Sequence, residues 1–356
     1  MRPIDRVLAA LGREEPDRVP RTAGFTPALL ETFKKRTGAT DPEEYWDFEV
    51  RGVGFSETRV KTDFRRYFPS ALEHNIVRIS EWGVGHIPGS MHHFEDYVHP
   101  MAAFTSLKEL EEYPWPDVTA TYRRSTLPDS VERWHEKGYA VVAWPPMANG
   151  SVFENAWLLR GLEQLLVDFV ENVEFAEALL DRITAFQVEN CRYLANCESD
   201  VLVTGDDVGT QRGMMMSPAM WRTWLKPRLT KIIAAAREQK PGIHVFYHSD
   251  GDIRAIIPEL IEIGVDVLNP IQPECMDPAE IKRLYGKQLS FWGTMGTQTT
   301  MPFGTPTEVK RVVKERIRTV GKGGGLLLAP THVLEPEVPW ENVVAFFEAI
   351  DECAKK

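Results

Sequence analysis

From Tyr139 onward the chain alternates short apolar runs with longer amphipathic ones, and this rhythm constrains the fold more than any other feature. YAVVAW (139–144), DVLVTG (200–205), IHVFYH (243–248), DVLNPI (266–271), LSFWGT (289–294) and GGLLLAP (324–330) read as buried strands. Helices are expected between them: Val152–Val170, Glu174–Asn196, one opened by Ser217-Pro218 that runs past Ala235, Ile253–Ile263, Pro278–Tyr285, one opened by Thr305-Pro306, and Val338–Ala354. Strands that are apolar on both faces and separated by helices pair in parallel, through right-handed crossovers. Enough such units close into a (β/α)8 TIM barrel. The alternative, an open doubly wound sheet, carries a Gly-rich phosphate loop after its first strand. GKGGGL at Gly321 precedes a strand, so it reads as a connection instead.

The first third is less regular. Ile4–Leu11 and Pro27–Arg36 read as short helices, and SLKELEEYPWPD as another stopped by Pro114 and Pro116. Residues 49–100 read as loops and short strands that cap the barrel. The expected organisation is one domain, 1–356, with residues 1–137 as an N-terminal part carrying cap elements and 138–356 as regular β/α units.

A chain of 356 residues with a net charge of −11 has ample material for a core and repels a phosphate backbone, so nucleic acid is not an expected partner. Cys191, Cys197, Cys275 and Cys353 form no CxxC pair or disulfide framework. No apolar stretch suits a signal peptide or a membrane span, so the cytoplasm is the expected location. Oligomeric state is left as monomer or homodimer.

Polar residues collect where the strands end: Asp206, Asp207, Gln211 and Arg212 after DVLVTG; His248 and Asp250 after HVFY; Gln272 and Glu274 after DVLNP; Thr331 and His332 after LLLAP. In a barrel these ends share the face that carries the active site. Alternate residues of an extended strand point the same way, so His248 and Asp250 can reach one point. Such a pair can ligate a metal, let an acid orient an imidazole, or be a buried histidine satisfied by its neighbour. Together with Glu274 and His332 the set suits Zn²⁺, Fe²⁺ or Mn²⁺, and the lack of thiolate excludes a soft site. One acid of the Asp206–Asp207 pair is a candidate general base, the other an N-cap or an ion-pair partner of Arg212. His92-His93, His244 and Met214–Met216 read as structural.

NGSVFENAWLLRG, TGDDVGTQRGMMMSP, HVFYHSDGDI, IEIGVDVLNPIQP, LSFWGTMGTQ and GGGLLLAPTHVLEPEVPWEN, with ISEWG and YPWPD upstream, resemble the uroporphyrinogen decarboxylase superfamily over most of the chain. That resemblance implies a (β/α)8 barrel and either porphyrinogen decarboxylation or methyl transfer from a corrinoid protein to coenzyme M or tetrahydrofolate. The decarboxylases grip carboxylates with an Arg-Gln-Ala-Gly-Arg segment, of which Arg21-Thr22-Ala23-Gly24-Phe25 keeps the first Arg, the Ala and the Gly. Where they place Ser-Asp, this chain has Ser80-Glu81. These departures weigh against decarboxylation of a carboxylate-rich substrate.

The coenzyme M branch holds zinc by a His-x-Cys pair, a glutamate and a later cysteine. The matching positions are His248, Asp250, Glu274 and His332, with both cysteines replaced. The resemblance therefore implies a methyltransferase with His248, Asp250, Glu274 and His332 as a zinc-type site, and Asp206, Asp207, His248 and Asp250 as catalytic groups. Arg21, Glu81, Glu154, Gln211, Arg212 and Gln272 are expected to bind substrate. Methylcobalamin on a partner corrinoid protein would be the donor, with tetrahydrofolate or a thiol as acceptor. The alternatives are a decarboxylase of tetrapyrrole biosynthesis and a non-catalytic barrel that binds a tetrapyrrole or a pterin.

Overall fold

In the computed structural model, residues 1–70, 75–89 and 95–354 are described. Seven strands form one parallel sheet: β1 (Val50–Gly54), β2 (Ala140–Trp144), β3 (Val201–Gly205), β4 (His244–His248), β5 (Val267–Asn269), β6 (Ser290–Met295) and β7 (Leu326–Pro330). Their spatial order is their chain order, as βα units with right-handed crossovers require. β2 to β7 are the strands expected from the alternation. β1 is not: VRGVG carries two glycines and an arginine, too few apolar residues to read as a buried strand.

One apolar cluster draws on every strand. Val50, Val142, Val203, Phe246, Val267, Trp292 and Leu327 belong to it, and so do Val7 and Leu11 of the helix Pro3–Leu11. The two edges, β1 and β7, thus meet the same core, so the sheet is curled in the manner of a TIM barrel and the first helix plugs its amino end. Between those edges runs residues 20–22. Leu328 N donates to the Pro20 carbonyl (2.8 Å), Thr22 N donates to the Leu328 carbonyl (3.2 Å), and Arg21 makes a parallel bridge to Leu328. On the other side Arg21 N donates to the Glu49 carboxylate (2.9 Å), one residue before β1.

A second, larger apolar cluster lies outside the sheet, where Leu202, Val245, Leu268, Phe291 and Leu328 meet the helices. Two helices expected as single pieces are broken. Gly161 (φ 92°) separates Phe153–Arg160 from Leu162–Glu171. The helix opened by Ser217, whose hydroxyl caps Met220 N, is split at Leu225 into Pro218–Trp224 and Lys226–Gln239. Pro227 explains this: it has no N–H, and its ring displaces the carbonyl four residues back. The helix expected over Ile253–Ile263 is reduced to Ile257–Glu262, while Leu127–Glu136 forms a helix unforeseen from the sequence. In the N-terminal third, Arg78–Ile79, Gly85–Pro88 and Glu95–Val98 pair as a small antiparallel sheet. No helix of the described residues is long and apolar enough to cross a membrane.

A buried ion pair between two of the barrel helices holds an arginine that also anchors the N-terminal third. Arg160 is 4% exposed and Asp168 1%, with Nε donating to Oδ2 at 2.7 Å. Arg160 also donates to the carbonyls of Met101 (2.6 Å) and Phe104 (2.8 Å). Asp168→Ala would leave the guanidinium buried and uncompensated. It is expected to lower stability by about 3–5 kcal/mol in urea unfolding, against under about 1 kcal/mol for Lys108→Ala in an exposed pair.

Candidate active site at the carboxyl ends of the strands

The interior alternation places the site. Phe246 faces the inner core, so His248 two residues on faces the mouth of the barrel; Val267 sets Asn269 in the same way, and Val203 sets Gly205. Gly205 is in register with His248, and a Cβ on it would lie 2.5 Å from the His248 carbonyl oxygen and 2.7 Å from its Cβ. Only glycine leaves the His248 backbone and Cβ that space, and its φ of 154° adds to the requirement.

Three carboxylates gather around this point. Asp207 Oδ1 accepts from Asp250 N (2.7 Å) and lies 3.6 Å from His248 Nε2. Asp250 Oδ1 is buried without a hydrogen-bond partner. Burial pushes the Asp250 carboxyl above its ordinary range; His248 opposes this and Asp207 adds to it. Glu154, buried, accepts from Asn149 Nδ2 (2.7 Å) and from Asp207 N (2.9 Å). Its carboxyl is held well above the usual value by burial, then by Asp207 and Asp206. One ligand atom each from Asp207, His248 and Asp250 lie within 4.8 Å of one another.

Asp206 is not part of this surface. It is fully buried and accepts from the backbone N–H of Val152 (3.0 Å) and Glu154 (3.0 Å), at the amino end of the helix Phe153–Arg160. Burial pushes its carboxyl up to about 7, although these donors favour the charged form. The expected catalytic role for Asp206 is therefore replaced by a positioning one: it holds the helix that carries Glu154. Among the described residues no ion pair joins Arg212 to either aspartate.

A cavity of about 710 Å³ opens at the mouth, lined among others by Trp144, Glu154, Asp207, His248, Asn269 and His332. Among the described residues that line it there is no lysine or arginine. Trp144, Pro145, Met147, Ala148 and Asn149 also line a second chamber of about 890 Å³, whose far wall is the small antiparallel sheet.

The other residues named from the sequence fall in different places. His332 lines the cavity from an exposed position on its rim. Glu274 accepts from Thr299 Oγ1 (2.8 Å) and lies outside the Asp207–His248–Asp250 group. Gln272 is buried and accepts from Gly251 N (3.0 Å), which fixes the turn beyond Asp250. Gln211 pairs with Gln298, and Arg212 sits at the exposed tip of the hairpin Gly209–Met214; neither lines the cavity. Glu81 reaches the second chamber, where Arg123 binds both its oxygens (2.6 and 3.0 Å).

Arg21 is turned away from the cavity. It pairs with Leu328, which faces the helices, so Arg21 faces them too: it donates to the Trp46 carbonyl (2.8 Å) and to Asp351 (2.6 Å). His92-His93 lies outside the described residues. His244, at the amino end of β4, pairs with Asp266, as a structural histidine should. Asn269 and Asn149 escaped the sequence reading. Asn269 was within reach, because it continues the alternation from Val267.

A parallel α/β sheet with ionisable groups converging at the carboxyl ends of its strands defines an enzyme-like barrel. Residues 104–353 match the family model "Uroporphyrinogen decarboxylase (URO-D)", and the chain belongs to that family. Two curated relatives are similar over 183 residues, each a "Methylcobamide:CoM methyltransferase MtaA": one from Methanosarcina barkeri at 25% identity, the other from its strain Fusaro at 24%. The match covers 51% of this chain and 50% of either relative, so the chain spans about half the length of the curated relatives it matches. A solved "methyltransferase from Methanosarcina mazei" shares the fold, with a TM-score of 0.69 over 99% of both chains at 20% identity.

The buried acids make stability depend on pH in a defined direction. Asp206 titrates higher in the fold (about 7) than its ordinary 3.8, so the folded state binds the proton more tightly. Its contribution is complete below about pH 4 and is lost as the pH rises through 7. Asp206→Asn, which keeps an acceptor for the two N–H groups, is expected to gain roughly 2–4 kcal/mol relative to wild type between pH 4 and 8. Urea midpoints at several pH values would show it; a constant difference would count against a protonated Asp206.

Proposed function

We propose that this chain is a methyltransferase that moves a methyl group from methylcobalamin, carried by a partner corrinoid protein, to a small acceptor such as a thiol or tetrahydrofolate. Family membership and the printed activity of both curated relatives support this reading. The observation that carries it is the convergence of Asp250 with Asp207 and His248, two residues of a cavity that no lysine or arginine lines among the described residues. A carboxylate-rich porphyrinogen needs fixed cations around it. Here Arg21 faces the helices, and Arg78 and Arg123 of the outer chamber are already engaged by Glu95 (3.1 Å) and Glu81 (2.6 Å). Decarboxylation is therefore the lesser reading.

The residues fit a divalent cation. Ligand atoms mutually within 4.8 Å need only a small inward shift to meet a cation about 2.0–2.2 Å from each, and among the described residues Asp250 Oδ1 is a buried acceptor without a partner. The donors are nitrogen and oxygen, which suits Zn²⁺, Fe²⁺ or Mn²⁺. A cation held by Asp207, His248 and Asp250 would supply Lewis acidity that favours the deprotonated acceptor.

When a thiol or amine is methylated it gives up a proton, and this chain's residues must receive it. His248 Nε2 and the Asp207 carboxylate face the cavity and lie within 3.6 Å of each other, so either can take that proton and share it with the other. Burial, then Asp207 and Asp206, raise the Glu154 carboxyl, which disfavours a further charge close to Asp207. The antiparallel sheet and the segments around it act as a cap over the mouth. They wall off the outer chamber and shelter the reacting groups from water.

The assay follows methylcobalamin consumption with 2-mercaptoethanesulfonate or tetrahydrofolate as acceptor. Turnover is expected with one of them, and His248→Ala should lower it by about 100-fold or more. Absence of transfer to either acceptor, with turnover of uroporphyrinogen, would replace this reading with the decarboxylase.

A further inference from the structure

We infer that Asn269 is a positioning residue that holds His248 as the Nδ1–H tautomer and so presents the bare Nε2 to Asp207 and Asp250. The inference about the tautomer rests on geometry alone; its consequence for cation or proton capture rests on the proposed function.

Asn269 and His248 are in register on adjacent parallel strands, and both continue the interior face of the barrel. Asn269 is 9% exposed, so its protein neighbours dominate the choice of amide orientation. Its orientation is set from behind. Asn269 Nδ2 lies 2.8 Å from the Trp292 backbone carbonyl, which can only accept, so the amide nitrogen faces β6. The amide oxygen then faces the imidazole, 2.5 Å from Nδ1. An amide oxygen can only accept, so Nδ1 must carry the hydrogen. In the neutral ring this leaves Nε2 with its lone pair. Flipping the amide would set two oxygens against each other at Trp292, and the other ring tautomer would set a lone pair against Oδ1.

The backbone is cut to fit this arrangement. Gly293 (φ 126°) follows Trp292, and a Cβ on it would lie 3.1 Å from Pro270 Cβ and 3.6 Å from Asn269 Nδ2. Gly205 leaves room for the backbone and Cβ of His248 on the adjacent strand. A chain of contacts thus runs laterally from the Trp292 carbonyl through Asn269 and His248 to Asp207, one strand at a time from β6 to the end of β3.

Asn269 works against a competitor. Asp207 Oδ1 is 3.6 Å from Nε2 and would accept a hydrogen from it if nothing held the ring otherwise. Without Asn269, Nε2–H toward Asp207 becomes the favoured form, and the nitrogen nearest Asp207 and Asp250 no longer has a free lone pair.

The test uses the full chain, stripped of metal, with ¹⁵N-labelled histidine at a pH where the ring is neutral; His248 is assigned by its loss in His248→Ala. Wild type is expected to show a protonated Nδ1 and a bare Nε2. Asn269→Leu should shift the pattern toward Nε2–H and weaken Zn²⁺ or Mn²⁺ binding, read by calorimetry, about 10–100-fold. Asn269→Asp, which keeps an acceptor beside Nδ1, should retain the Nδ1–H pattern. A wild-type Nε2–H pattern overturns the inference without any variant, so a misfolded Asn269→Leu does not rescue it. An Asn269→Leu protein with both pattern and affinity unchanged overturns it as well. Wild type with the Nδ1–H pattern but no methyl transfer would sink the proposed function and leave this inference standing.

Discussion

The apolar packing inside the curled sheet is the constraint on which the remainder of this molecule depends. Val50, Val142, Val203, Phe246, Val267, Trp292 and Leu327 converge on one cluster, and Val7 and Leu11 close it from below. Strand residues alternate faces, so committing these side chains to the interior also commits the residues two positions further on. His248 and Asn269 are brought to the mouth by that rule. The same rule turns Arg21 outward with Leu328. A slip of one residue in the pairing of β4 would bury His248 among the helices and send Tyr247 to the mouth.

At the mouth the chain gathers negative charge where it is costly. Glu154, Asp206, Asp207 and Asp250 lie close together, and the cavity offers no lysine or arginine among the described residues that line it. The fold manages this in two ways. Backbone N–H groups at the start of the helix Phe153–Arg160 bind Asp206, and burial raises the Glu154 carboxyl and so disfavours its charged form. What remains is a small set, Asp207 and His248 on the cavity surface with Asp250 beside them, whose buried Oδ1 has no partner among the described residues. Such an arrangement is unfavourable for an empty protein and favourable for one that receives a cation or a proton.

The regular part of the architecture was legible in the chain. The expected strands from Tyr139 onward all form, and the helices between them begin at the Ser217, Asp277 and Thr305 caps. β1 was not legible, since VRGVG owes its place to neighbours on its outer face and to Glu49, not to its own apolar content. The breaks at Gly161 and Pro227 were visible as residues but were outweighed by the longer periodicity around them.

By itself, the sequence determined that apolar strands alternate with helices and that His248, Asp250 and the Asp206–Asp207 pair follow strand ends. Periodicity and turn residues are local, so they can be read without knowing what each segment touches. Only the tertiary structure decided which of those residues meet. It divided two adjacent aspartates between a helix terminus and a cavity. It brought Asp207 to His248 and Asp250, left His332 on the cavity rim and Glu274 outside that group, and set Asn269 behind His248. These are contacts across strands and between residues far apart in the chain, and they depend on register and curl, which no single segment carries.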